Sequence, residues 1–382
     1  MRYNALCMRL AVFGFHPGLS YAELLRTDPN AQIHGRSSAV FTSDVNPHLG
    51  GTVKIGRVVD EVRSTNPDTI KQHLYEHAAD YFQEQQQSRN LGISVIDGQI
   101  PKYRQWCFNL KKQLRQNGLK VRIVLDDSQT LNAAQVRYNR LHHSPNVEIL
   151  VAIGRDCTRI AVTEWVQDMD NYRQRDMERP CRDLKTGMLP PKLAQIMINL
   201  AGGSYVFDPF CGSGVVLQEA LLMGKRTGGS DISNQMIDCS RRNLQWLQTG
   251  WAVAAPDYLE TADARTIQLP DNVTSIVSEG YLGPLLKQPA QSASARSYAD
   301  EADNLLQSTL ARLQPQLPSQ TPVVLAAPVW RTAAGMVTPT LVDAQSVTGY
   351  NRVRLPGVEH HDLRYIRDDQ HVGRHLIVLE KQ

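Results

Sequence analysis

Apolar positions in the second half of the chain switch repeatedly between two periods: the 3.6-residue spacing of an amphipathic helix, and short unbroken runs typical of a strand covered on both faces. From Leu189 onward this alternation predicts helix 191–201, strand 204–208, helix 214–223, strand 227–231, helix 233–248, strand 273–278, helix 298–314 and strand 321–327. Two more β-like stretches, near 344–354 and 372–380, are joined by an irregular charged segment, which predicts an antiparallel pair at the sheet edge. Strands alternating with helices imply a mostly parallel sheet with both faces covered.

The first half is patterned differently. Residues 1–65 open with the apolar strand RLAVFGFHP and a short amphipathic helix, LSYAELLRT, for which Ser20 is a plausible N-cap. Two further strands read out of AVFTSDV and KIGRVVDEV, giving a small α/β subdomain. Residues 66–165 carry helix-period runs at 69–87 and 100–117, the strand KVRIVL, the apolar run VEILVAIG and the alternating TRIAVTEWV, which reads as an edge hairpin. Residues 166–188 form a charged connector, and residues 189–382 the alternating domain. The biased stretch LLKQPAQSASARS, 285–297, reads as a mobile loop.

With 382 residues, 42% hydrophobic and 21% charged, the chain has room for two or three ordinary globular domains. No run of 18 apolar residues occurs, and the first residues lack the apolar core of a secretory signal, so no membrane partner and a cytoplasmic location are expected. The six cysteines, at 7, 107, 157, 181, 211 and 239, form no C-x-x-C pair and are expected to be reduced, with neither a zinc site nor a disulfide. The net charge of +3 hides an uneven distribution: residues 86–140 hold ten Lys or Arg against three acids, +7, which leaves −4 for the rest. Such a local basic field suits a polyanion, whose neutralised phosphates release counterions.

The chemistry concentrates in residues 206–223, VFDPFCGSGVVLQEALLM, where a strand end runs through an acid and a Gly-Ser-Gly turn into a helix. Gly212, Ser213 and Gly214 let the backbone approach a ligand, and the helix from Val215 presents free N–H groups to a carboxylate or phosphate. Asp208, before the turn, is placed to meet a cation or amine. A G-x-G-x-x-G directly after the strand would indicate a dinucleotide; its absence favours S-adenosylmethionine (SAM), which is cationic and anionic at its methionine end, over NAD. Cys211 reads as a packing residue. Asp231, ending the strand TGGSD beside Ile232, is placed to accept hydrogen bonds from both ribose hydroxyls, with an N-cap as its plainer role.

The run MERPCRDLKTGMLPPKLAQIMINLAG, 177–202, followed by SYVFDPFCGSGVVLQEALLMG, resembles the THUMP-domain tRNA guanosine-N2 methyltransferases. The resemblance implies a Rossmann-like SAM methyltransferase domain preceded by a smaller α/β THUMP-type RNA-binding module at 66–165, with tRNA as partner. It makes Pro209 part of the cofactor loop, places an acid for the adenine amino group at Asp263, and makes Ala264 a backbone contact. RNA contacts are expected from Lys102, Arg104, Lys111, Lys112, Arg115, Lys120 and Arg122. No metal is expected, since a sulfonium is already a good leaving group.

One segment departs from the family. After VTSIV the family carries D-P-P-Y, whose carboxylate accepts hydrogen bonds from the target amino group; here the register reads Ser278-Glu279-Gly280-Tyr281. Tyr281 is placed to stack on the base, worth roughly 1–3 kcal/mol. A one-residue shift at a strand end turns a side chain to the opposite face. Either Gly280 lets Glu279 swing into the site, giving an active enzyme, the favoured expectation, or the chain binds SAM and tRNA with little or no transfer. A DNA amino methyltransferase would share the pocket chemistry but leave the preceding modules unexplained.

Overall fold

A computed structural model describes residues 8–44, 48–82, 89–182, 188–284, 286, 288–344 and 346–382. The chain divides into two units, 1–47 with 51–170, and 48–50 with 171–382. Among the described residues no helix is long and apolar enough to cross a membrane.

The first unit is built on one sheet. Its strands are β1 (Arg9–Phe13), β2 (Gln32–Gly35), β3 (Ser38–Phe41), β4 (Thr52–Val62), β5 (Arg89–Ile96), β6 (Val121–Val124), β7 (Val147–Ile153) and β8 (Thr158–Val166), in the order β2-β3-β1-β4-β8-β7-β5-β6. The helices are α1 (Pro17–Thr27), α2 (Pro67–His77), α3 (Tyr103–Gln116) and α4 (Ala133–Tyr138). Because β4 pairs with β8 along most of its length, the sheet runs through the division expected near residue 65. For the same reason TRIAVTEWV is not an edge hairpin: β8 lies between β4 and β7 in mid-sheet. Ser20 is not a cap either. Pro17 starts α1 one turn earlier, and Ser20 is buried inside it, donating to the Gly51 carbonyl at 2.9 Å. α3 buries Tyr103, Trp106, Cys107, Leu110 and Leu114 against the sheet, so its cations fall on the opposite, solvated face.

The second unit holds β9 (Tyr205–Asp208), β10 (Arg226–Asp231), β11 (Tyr258–Thr261), β12 (Ser275–Glu279), β13 (Pro322–Thr332), β14 (Gly335–Val337), β15 (Ser346–Val347), β16 (Tyr350–Arg352), β17 (Arg364–Tyr365) and β18 (Val372–Lys381). The order is β11-β10-β9-β12-β13-β18-β16-β15; β11 to β13 are parallel, and β18 inserts antiparallel between β13 and β16. Helices α5 (Met169–Met177), α6 (Pro191–Ala201), α7 (Val215–Leu222), α8 (Asn234–Trp251) and α9 (Ser292–Leu313) complete the main elements. Tyr205, Phe207, Ile276, Leu306, Leu310, Val323, Leu325 and Ile377 form the core between the sheet and α9.

Strand order reverses between β9 and β12, which fixes where a ligand crevice opens, outside their carboxyl ends. The expected connector 166–188 is partly structured: on α5, Arg175 is buried against Glu219 of α7 at 2.9 Å, a charge pair that the local sequence does not announce. The stretch 285–297 is also not all loop, because α9 begins at Ser292 and buries Ala295 and Ala299. Positions 285 and 287 of that stretch lie outside the described residues. The cysteines are not all reduced; Cys181 and Cys239 are joined by a disulfide across a separation of 58 residues, with Cys181 also hydrogen-bonded to Asn243 of α8.

Candidate active site

The buried Val206 and Phe207 carry β9 into the sheet, leaving Asp208 at its carboxyl end with 2% exposure. Asp208 Oδ1 accepts from the Phe210 N–H at 3.0 Å and from the Ser278 hydroxyl of the neighbouring β12. Burial dominates over these bonds and pushes the Asp208 carboxyl up to about 7, with Asp231 and Glu279 adding like-charge repulsion.

The turn that follows is held by its surroundings. Gly214 has φ +85°, and a Cβ there would stand 2.3 Å from Ser240 Oγ, so only glycine fits. Asn243 of α8 donates to the Ser213 carbonyl and also to the Cys181 carbonyl, each at 2.9 Å, while accepting from the Cys181 N–H. Cys211 is buried, its thiol pushed well up by burial, in keeping with a packing role.

Asp231 ends β10 with Oδ2 on the Gly212 N–H at 3.0 Å and Oδ1 on the Ser233 N–H at 2.9 Å. The capping of α8 falls to Ser233, which accepts from the Met236 N–H. Asp231 is thereby oriented by backbone, and each carboxylate oxygen keeps a lone pair for a hydroxyl of a vicinal diol. Ile232 beside it is an exposed apolar side chain, 68% accessible, over which a flat ring can pack. Asp263 differs: its carboxylate is taken by Arg265 at 3.0 and 2.6 Å and by the Arg265 N–H, which hold it below the usual range. Ala264 is buried beneath.

A cavity of about 90 Å³ lies between the turn and β12, walled by Met188, Leu189, Phe210, Cys211, Gly212, Ser213, Val215, Val216 and Met236, with Asp208 and Glu279 supplying carboxyl groups. Pro209 is buried in the loop. Ser278 is fully buried on Asp208 and does not face the cavity, whereas Glu279 does. A Cβ at Gly280 would come within 2.9 Å of a Leu306 methyl on α9, so a side chain there would have to displace that methyl. Tyr281, 42% exposed, stands outside the cavity lining.

Glu279 Oε1 receives the Nε–H of Arg374 from β18 at 2.6 Å, and Arg374 also donates to the Met188 carbonyl at 3.3 Å. Arg374 and the wall residue Met188 were not among the expected site residues. Met188 sits inside the quoted GMLPPKLAQ run, but Arg374 carries no local signal: it lies in an ordinary apolar strand. The expected RNA-contacting residues Lys102, Arg104, Lys112, Arg115, Lys120 and Arg122 are exposed in the first unit and Lys111 is half-buried, with Arg104 paired to Asp127 at 2.5 Å. Among the described residues no group of three or more His, Cys, Asp or Glu is arranged to hold a metal ion.

An acid and glycine turn at the switch point of this strand order define the second unit as a Rossmann-like methyltransferase domain. A family model described as RMKL-like, methyltransferase domain, matches residues 179–290. The chain is similar to the tRNA (guanine(10)-N2)-dimethyltransferase of Methanothermobacter thermautotrophicus, 32% identical over 145 residues, 37% of this chain and 39% of the relative. Its counterpart from Methanocaldococcus jannaschii is 34% identical over 104 residues, 26% of this chain and 29% of the relative. The matches thus span well under half the length of these curated relatives. TrmN from Thermus thermophilus shares the fold, with a TM-score of 0.53 over 98% of this chain and 100% of the other at 17% identity. The likeness to the tRNA guanine-N2 methyltransferase family read from residues 177–224 is borne out.

Proposed function

We propose that this protein is a SAM-dependent RNA methyltransferase acting on the exocyclic N2 of a guanosine in tRNA. The observation that carries the reading is the meeting of two carboxyl groups, Asp208 and Glu279, in one cavity beside the Gly212–Gly214 turn.

The residues fit SAM. The cavity of about 90 Å³ accommodates only part of such a ligand, at the end where the buried Asp208 carboxyl awaits a cation. Outward from it, Asp231 would take the ribose diol, and Ile232, Ala264 and Asp263 the adenine. SAM supplies a methyl group on a sulfonium sulfur, activated without a metal. The protein's part is to bring the target amino group there. Tyr281 stacks on an extruded base. Glu279 accepts a hydrogen bond from the N2 amino group, localising a lone pair otherwise delocalised into the ring. Once N2 is alkylated, its surplus proton passes to Glu279 and on to solvent. With Glu279 lining the cavity, the alternative of a SAM- and tRNA-binding protein disabled at the D-P-P-Y position loses its main support.

The first unit, with the cationic face of α3 and the edge strand β6, would serve as the THUMP-type RNA-binding module. Lys111→Glu with Lys112→Glu is expected to weaken tRNA binding and lower the slope of affinity against salt by roughly 2, about one per lost phosphate contact, leaving SAM affinity unchanged. Unchanged tRNA affinity would reduce this face to a solvated surface. The decisive test of the activity is mass spectrometry of nucleosides from unmodified tRNA incubated with the protein and SAM: N2-methylguanosine is expected, and its absence with SAM bound overturns the reading.

A further inference from the structure

We infer that Arg374 is a positioning residue for the methyl-transfer step, holding Glu279 aimed at the cavity so that Arg374 and Glu279 together replace the carboxylate missing at Ser278; this rests on the functional reading above.

Register makes the pair possible. Glu279 on β12 is level with Ala326 on β13, and Ala326 is level with Leu376 on β18. Arg374 lies two residues from Leu376, so alternation puts it on the same face of the sheet as Glu279. The two side chains bridge the width of β13, and the small Ala326 between them leaves the path open. Arg374 is itself opposite Pro328 and Tyr365, and its side chain is 6% exposed.

The bond pattern shows what the bridge does. Arg374 Nε–H occupies Glu279 Oε1, and among the described residues Oε2 takes no hydrogen bond, while Glu279 lines the cavity. One oxygen is fixed and the other is left to accept from a substrate amine. The second tie, from Arg374 to the Met188 carbonyl, links the same guanidinium to a residue of the cavity lining. A carboxylate without this partner, on the last residue of a strand and preceding glycine, has rotamers that turn it away. Ser278 offers no substitute, being bound to Asp208. The contact is not one a stability argument would demand, since buried pairs often add little over apolar packing.

The test is a double-mutant cycle on the full-length protein with tRNA, read as single-turnover transfer at saturating SAM, with SAM affinity by calorimetry alongside. Arg374→Ala is expected to slow transfer by roughly 10²-fold, the scale of a one-ångström misplacement of a reacting group, while SAM affinity stays within about threefold. Arg374→Lys should recover part of the loss, and added guanidinium should raise the rate of Arg374→Ala. In the Glu279→Gln background the same Arg374→Ala change should cost no more than about twofold, because the group it positions is gone. If Arg374→Ala does not fold for want of a partner to Glu279, Arg374→Lys and the uncharged Glu279→Gln/Arg374→Met variant close the comparison. Equal losses in both backgrounds, or a rate within twofold of wild type in Arg374→Ala, overturn the inference alone. No transfer by the wild-type chain overturns the functional reading and this inference with it.

Discussion

The two sides of the crevice are built by different means. On the side proposed to hold the cofactor, Asp231 is oriented by the N–H groups of Gly212 and Ser233, and the turn is braced by Asn243. These contacts join residues no more than 30 positions apart, and most run through backbone. On the acceptor side, Ser278 reaches Asp208 across 70 residues and Glu279 reaches Arg374 across 95, in each case side chain to side chain. A backbone-built site tolerates sequence change around it. A side-chain pair does not, and its loss should fall on rate rather than on binding.

The largest effect expected from this contrast is at Glu279. Glu279→Gln keeps the shape and one acceptor oxygen but removes the charge, and should slow single-turnover transfer by roughly 10²-fold or more, in the range of a positioned acid or base. SAM and tRNA affinities should stay within about threefold. Ser278→Asp should give no more than a modest gain, because position 278 points at Asp208 rather than into the cavity. An unchanged rate in Glu279→Gln removes the acceptor role.

On the other side the loss should fall on binding. Charge-assisted hydrogen bonds contribute roughly 1.5–3 kcal/mol each, so Asp231→Ala should weaken SAM at least about tenfold by calorimetry. The bound enzyme, once saturated, should then transfer at close to the wild-type rate. Were the rate constant to drop by orders of magnitude with affinity intact, the two sides would not be separable as argued.

This division also explains what could be read from the chain. Most of the main helices and strands from residue 191 onward followed from periodicity, and the loop 208–214 from its glycines, because short-range pattern determines both. The strands Gln32–Gly35, Arg89–Ile96 and Tyr258–Thr261 were not expected; the first and last are four-residue strands whose pairing, not composition, defines them. The charged segment before residue 189 read as a linker because its partners, Glu219 for Arg175 and Cys239 for Cys181, lie 44 and 58 residues on. Glu279 was visible as a displaced carboxylate, but its orientation depends on Arg374. No motif in residues 372–380 marks that arginine.

A smaller effect is expected from pH. Burial is the main cause of the rise of the Asp208 carboxyl to about 7, and a cation bound beside it favours the ionised form. SAM affinity should therefore be constant above about pH 8 and fall as pH drops through 7, by up to about tenfold per unit where the coupling is complete. The sign for stability is opposite. A carboxyl raised from 3.8 to about 7 contributes stability below pH 4 that is lost as pH rises through 7. Asp208→Asn should then be more stable than wild type at pH 8 without SAM, by at most about 4 kcal/mol, with little difference at pH 4. Its SAM affinity should be weak and flat with pH; a profile like the wild type's would mean that another group titrates.

The smallest effect sharpens the cofactor side itself, because its two acids are not equivalent. Asp231 has its orientation set by the backbone N–H groups of Gly212 and Ser233, whereas the Asp263 carboxylate is clamped by its neighbour Arg265. An adenine amino group would have to compete with a guanidinium for the same oxygens. Asp263→Asn is accordingly expected to weaken SAM by only about two- to threefold, since an exposed pair and an exposed acceptor are each worth little. Arg265→Ala is the more telling change: it frees the carboxylate, and SAM should bind modestly tighter, with the gain shrinking as salt is raised and the competing pair in the wild type is screened. Calorimetry at two salt concentrations reads both. If Arg265→Ala instead weakens SAM as much as Asp231→Ala does, the arginine is part of the adenine site, and the clamp on Asp263 is how that site is assembled rather than a competitor for it.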